Sequence, residues 1–173
     1  DAVSTEKNNA VLAQLIESYG KVCKVWKLNL APGDSILSSA LAWSYYRMAV
    51  RGLADSAMNE NADKLLKSSS TNTRLPAAHY FARGAKDFDS LQHDLFEVAK
   101  HHKSSGVRMA AAFALRKIKS DLSQSAAEHI VKNDSDYRVR VNAVRALQDY
   151  PLQKTKRVLI AALSDSNVNV GIA

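Results

Sequence analysis

A chain of 173 residues, 46% of them apolar, has enough material to bury a full core, which excludes a disordered segment. Only 6 Gly and 3 Pro interrupt it, against 26 Ala, so a β-sandwich or barrel with frequent tight turns is excluded and an all-α fold is expected. Its 24 Lys and Arg exceed 17 Asp and Glu by +7, which favours polyanions in general, and its single cysteine excludes an internal disulfide and a Cys-based zinc site.

In chain order, a helical period opens at Val11 and sets Leu15, Ile16, Ser18 and Tyr19 on its inner side. The stretch from Lys21 to Ser35 is irregular: its helix would be short, Ala31-Pro32-Gly33-Asp34 reads as a loop, and Cys23 reads as a small packed side chain. A second copy from Ala42 turns Tyr46, Arg47, Ala49 and Val50 inward, with Arg47 discordant there. Ala62, Leu65 and Leu66 form a weaker helix. The third copy, from Thr73, holds Ala77, Ala78, Tyr80 and Phe81, and its Pro76 falls early enough in the helix to be tolerated.

Leu91, Leu95, Val98 and Ala99 then mark a helix of the companion kind. The clearest copies follow, from Val107 and Val139, sharing Val, Arg, Ala, Ala and Leu at offsets 0, 1, 4, 7 and 8. Companion helices run through Leu122, Ala126, Ile130 and Val131, and through Val158, Leu159, Ala162 and Leu163. Asn133-Asp134-Ser135-Asp136 and Asp165-Ser166-Asn167 supply capping chemistry, and Gly52, Gly84 and Pro151 mark helix ends. A sixth copy opens at Val170, too near the last residue to pack, so a fragment of a longer protein is expected. The first residue, Asp1, is read the same way.

The copies recur every 31–34 residues, and a helix pair of that length, with an Asp-rich turn before Val-Arg-x-x-Ala-x-x-Ala-Leu, resembles the HEAT repeat family. The match is regular over residues 87–173 and degenerate over 1–86, within a single array covering 1–173. The resemblance implies an α-α superhelix (a HEAT-like solenoid) of about five and a half helix pairs, its second helices lining the concave side. It also implies a ladder in which Arg74, Arg108 and Arg140 bond Asp residues of neighbouring turns, with Asp134 and Asp136 as candidates. A longer run, Leu41 to Leu53 with Arg74 to Arg83, is similar to the repeat arm of cyclophilin-type peptidyl-prolyl isomerases of the Bacteroidetes lineage. That likeness implies repeats attached to a catalytic barrel, whose own signature is absent from this sequence, and a place in the cell envelope or periplasm; otherwise a cytoplasmic protein is expected.

No catalytic centre is legible. Asp134/Asp136 and Asp87/Asp89 sit where caps are needed, and the five histidines show no His-Glu-x-x-His spacing. Phosphate-loop and nucleophile-elbow motifs are missing, no cofactor or metal is expected, and no apolar run is long enough to span a bilayer. The expected function is a non-catalytic scaffold that binds a protein or peptide, or a further domain of its own chain. Offsets 3, 6 and 9 of the second helices are expected to form its exposed face: Tyr45, Met48, Arg51, His79, Phe113, Arg116, Asn142 and Arg145. The alternative is a nucleic-acid binder of the HEAT-like DNA glycosylase type. Basic residues are distributed along the whole chain, without a block of five or more.

Overall fold

The structure, a computed structural model, describes residues 6–22 and 34–173. Cys23 and most of the expected loop lie outside the described residues. Among those described, ten α-helices and two short 3₁₀ turns make up the regular structure, with no strand. Contacts divide the chain into two compact units, one ending at Leu91 and the other starting at Gln92.

The first unit holds α1 (Asn9–Val22), α2 (Ser35–Val50), α3 (Ser56–Leu66), α4 (Thr71–Arg83) and a 3₁₀ turn at Asp89–Leu91. Helix α2 packs between α1 and α4, and α3 lies against α4 and α2. Short acidic side chains start two of these helices. Asp34 accepts from the Ile36 and Leu37 N–H groups at 2.8 and 3.1 Å, and Asp55 from that of Met58 at 2.7 Å. The core is aromatic: Tyr80 meets Phe81 edge-on at 5.2 Å, Phe81 meets Phe88 at 5.1 Å, and Tyr45 lies 6.4 Å from Tyr80. Its polar tip is satisfied, because the Tyr80 hydroxyl donates to Asn59 Oδ1 at 2.6 Å while Asn59 Nδ2 donates to the Lys86 carbonyl. Burial holds the Tyr80 phenol well above its ordinary range.

The second unit comprises α5 (Gln92–His101), α6 (Ser105–Ala114) with a 3₁₀ turn at Leu115–Lys117, α7 (Asp121–Asn133), α8 (Tyr137–Leu147), α9 (Leu152–Ala162) and α10 (Val168–Gly171). Here the first helices touch one another, α5 to α7 and α7 to α9, as do the second helices, α6 to α8 and α8 to α10. Alanine makes this possible. Ala110, Ala111, Ala112 and Ala114 on α6, with Ala143 and Ala146 on α8, are all buried, and such small side chains let helix axes approach closely at no cost in helix propensity. Val107, Leu115, Val139 and Leu147 fill the space between them.

The expected register holds for α4, α6 and α8, whose offsets 0, 4, 7 and 8 are all buried. It slips by one residue in α1 and α2. Burial of Ile16 and Gly20 fits a start at Leu12, although Ala13 is buried too, and burial of Leu41, Tyr45, Met48 and Ala49 fits a start at Leu41. The shift removes the discordant Arg47 from the core and puts Val50, 57% exposed, on the surface. Tyr45 and Met48 are therefore core residues, 3% and 0% exposed, and not part of an exposed face. Met48→Ala is expected to cost about 2–5 kcal/mol of stability, read as a lower urea midpoint with an unchanged slope. A loss below about 1 kcal/mol would place the side chain back at the surface.

Candidate functional site

The arginines at offset 1 build from local geometry. Each lies one turn into its helix, so its side chain reaches back over the loop that leads in. Arg108 Nη1 donates to the His102 carbonyl at 2.8 Å and Arg140 Nη1 to that of Asp134 at 2.8 Å. Arg74 does the same to the carbonyls of Ser68 and Lys67. The remaining nitrogens reach onward. Arg108 forms a two-point pair with Asp134 (2.7 and 2.9 Å), and Arg140 forms one with Asp165 (2.8 and 2.7 Å). The Arg140 guanidinium holds the Asp165 carboxyl below the usual carboxylate range.

Two expectations are corrected here. Asp136 is not a rung: it caps α8 through the Arg138 N–H at 2.9 Å and pairs with the Arg138 guanidinium at 2.7 and 3.0 Å. Its carboxylate is taken up by Arg138 and by the Ser105 hydroxyl of α6, so the arginines at offset 1 find other partners. Arg74 bonds the carbonyls of its own loop and has no carboxylate rung among these bonds. Asp165, read from sequence only as part of a cap, is the missed rung. The spacing from Arg108 to Asp134, carried over to Arg140, would have found it.

The loops share one more position. Ser68 Oγ, His102 Nδ1, Asp134 Oδ1 and Asp165 Oδ1 each accept the N–H two residues further on, at 3.2, 3.0, 2.8 and 2.8 Å. An imidazole thus fills a place that a carboxylate or hydroxyl takes elsewhere.

The face expected at offsets 3, 6 and 9 is only partly realised. At 100° per residue, offset 3 lies about 40° from the buried offset 7, which is why Pro76 and Ala110 face inward. Offset 6 is open in all three of these helices, with His79 and Phe113 partly exposed and Arg145 exposed; offset 9 is mixed, since Arg116 is partly exposed but Ala82 is buried, and Asn142 is partly exposed despite its offset. Arg51 is exposed along much of its length and donates to the Gly20 carbonyl at 3.2 Å. The Arg116 guanidinium lies 5.1 Å from the Phe113 ring. Sequence reasoning missed offset 2, which with the corrected register is Trp43, Leu75, Met109 and Val141, all partly exposed. Each lies one turn before the offset-6 residue of its helix, so the two columns run side by side.

Charge follows the same division. Helices α2, α4, α6, α8 and α10 contain no Asp or Glu, and the one acid of α1, Glu17, is paired to Arg47 at 2.9 Å. Seven of the ten arginines (Arg47, Arg74, Arg83, Arg108, Arg138, Arg140 and Arg145) lie in these helices. Acids within the described helices otherwise fall on first helices: Glu60 and Asp63, Asp94 and Glu97, Asp121 and Glu128.

A groove of about 260 Å³ between α5 and α7 is lined in part by His93, His101 and His129, with the last two rings 6.1 Å apart. Among the described residues, no group of three or more His, Cys, Asp or Glu is arranged to hold a metal ion, and no helix is long and apolar enough to cross a membrane.

No protein-family model matches the chain, and no curated protein does. Two crystal structures of engineered proteins from the Northeast Structural Genomics Consortium are similar to it. One aligns at a TM-score of 0.74 with 20% identity, covering 98% of this chain and 90% of that one. The other aligns at 0.62 with 16% identity, covering 96% and 82%. At that identity the likeness establishes an all-helical fold and nothing further.

Proposed function

We propose that the chain is a non-catalytic scaffold of HEAT-like helix pairs that binds an acidic protein or peptide segment along its second helices. The observation that carries this reading is the exclusion of acids from α2, α4, α6, α8 and α10. Helices of such length ordinarily mix both charges for solubility, and these carry arginine beside partly exposed Trp, Leu, Met and Phe. Arginine and aromatic side chains are the types enriched at the centres of protein interfaces. The partner is a separate protein, or a further domain of a longer chain such as the barrel of a cyclophilin-type isomerase.

Acids already meet four of the seven arginines on these helices, Asp134, Asp136, Asp165 and Glu17 pairing with Arg108, Arg138, Arg140 and Arg47, so the net positive charge there is a small number. A peptide with a few carboxylates matches that number better than a nucleic-acid strand with a charge at every nucleotide.

The test is a titration with a glutamate-rich peptide and, separately, with single-stranded oligothymidylate. Phe113→Ala and Arg145→Glu are each expected to weaken peptide binding about fivefold or more while the melting temperature changes little. Binding of the oligonucleotide alone, with affinity falling about 0.7 log units per log unit of salt for each phosphate engaged, would replace this reading with the nucleic-acid one.

A further inference from the structure

The first unit carries a second aromatic cluster, separate from its core. Trp43 and Tyr46 on α2 and His79 on α4 touch one another. Ring centroids lie 5.6 Å apart for Trp43 and Tyr46, 6.3 Å for Trp43 and His79, and 5.9 Å for Tyr46 and His79. Trp43 and His79 are nearly parallel, at 25°, and Tyr46 stands edge-on to Trp43 at 76°. All three are partly exposed, whereas Tyr45, Tyr80 and Phe81 on the same two helices are buried. Aromatic side chains left at a surface in mutual contact, and not absorbed into the core beside them, have the form of an anchor pocket.

The charges around the cluster select its occupant. Arg47 Cζ lies 5.7 Å from the Trp43 ring centroid, and its Nη1 is 2.9 Å from Glu17. Burial, and then the nearby Arg83, hold the His79 imidazole below its usual range, which keeps it neutral at pH 7. A cationic guest is disfavoured, since two guanidiniums already border the rings. A neutral apolar side chain flanked by carboxylates suits both the rings and the charges.

We infer that Trp43, Tyr46 and His79 form a shelf for one aromatic or large aliphatic residue of an acidic peptide, whose carboxylates meet Arg47 and Arg83. Glu17 then acts as a built-in competitor, occupying Arg47 until the partner's carboxylate displaces it. This inference rests on the acidic-partner reading and deepens it by naming the anchor and the internal competitor.

The chain has two tryptophans, so a Trp26→Phe background leaves Trp43 as the sole indole, which is excited selectively at wavelengths where tyrosine does not absorb. Three probes are titrated: a 12-residue Glu/Ser peptide with a central Phe, the same peptide with Ala at that place, and a 12-nucleotide oligothymidylate. The Phe peptide is expected to shift Trp43 emission and to bind about tenfold tighter than the Ala peptide. His79→Ala, checked for fold by circular dichroism, is expected to shrink that ratio to about twofold. Glu17→Gln, which removes no packing group, is expected to tighten both peptides about threefold. Equal binding of the two peptides, unaffected by His79→Ala and Glu17→Gln, overturns the shelf and leaves the acidic-partner reading standing. Binding of oligothymidylate alone, or of no probe, overturns both.

Discussion

Asp134→Ala is expected to destabilise the second unit by about 3–5 kcal/mol. The Asp134 side chain is only 3% exposed and that of Arg108 12%, so removing the carboxylate leaves a guanidinium in a poorly hydrated place with two of its donors unmet. The same change deletes the acceptor for the Asp136 N–H and loosens the loop that sets α8. Asp134→Asn separates the two effects, because an amide keeps the loop bond and loses the charge; a cost of about 2 kcal/mol is expected for it. Arg74→Ala, which loses only bonds to its own loop's carbonyls, is expected to cost about 1 kcal/mol. Urea unfolding of the three variants checks the ranking. A cost for Asp134→Ala no greater than that for Arg74→Ala would show that the ladder adds nothing beyond loop closure.

Gly84→Ala is expected to be as damaging, for a different reason. The backbone of Gly84 has φ −126, which any residue adopts, so conformational freedom is not what the position needs. It needs space. A Cβ built there would lie 2.3 Å from the carbonyl carbon and Cβ of Ala49 on α2. The obstacle is backbone, which no rotamer change relieves, and α4 would have to move away from α2 and open the aromatic core. A cost of about 3 kcal/mol or more is expected, seen as a fall in melting temperature. Gly171→Ala is the control, because its new Cβ would meet the Leu163 carbonyl oxygen at 3.3 Å and a small shift suffices. Equal effects at the two positions would refute the close-approach argument. Gly20, where a Cβ would fall 2.6 Å from Ser44 Cα, makes the same demand between α1 and α2.

These sites differ in how far the sequence announces them. The helices of the second unit were legible because Val, Arg, Ala and Leu recur in fixed columns, each column having one physical job. Where the columns degrade, in α1 and α2, hydrophobic period alone does not fix register, and a slip of one residue turned Tyr45 and Met48 outward. The same slip hid the shelf, since it placed Tyr46 inside and left Trp43 unassigned. Arg47 at a supposed core offset was the available warning. Asp165 was missed because one residue type served two purposes in the loops, capping and cross-linking, and only the geometry separates them. Exclusion of acids from the second helices could be counted only once the helix limits were fixed. Gly84 was legible as a helix end; its contact with Ala49 spans 35 residues of sequence and belongs to packing alone.

The acids that meet the second-helix arginines of the second unit come from loops, and each such loop serves more than its own helix. Asp134 accepts from Arg108 through its carboxylate and from Arg140 through its carbonyl, so one residue is held by two successive second helices. Asp165 continues the chain of bonds from Arg140. A loop of this kind is common property of the helix pairs on either side, and a change in its sequence reaches both of them.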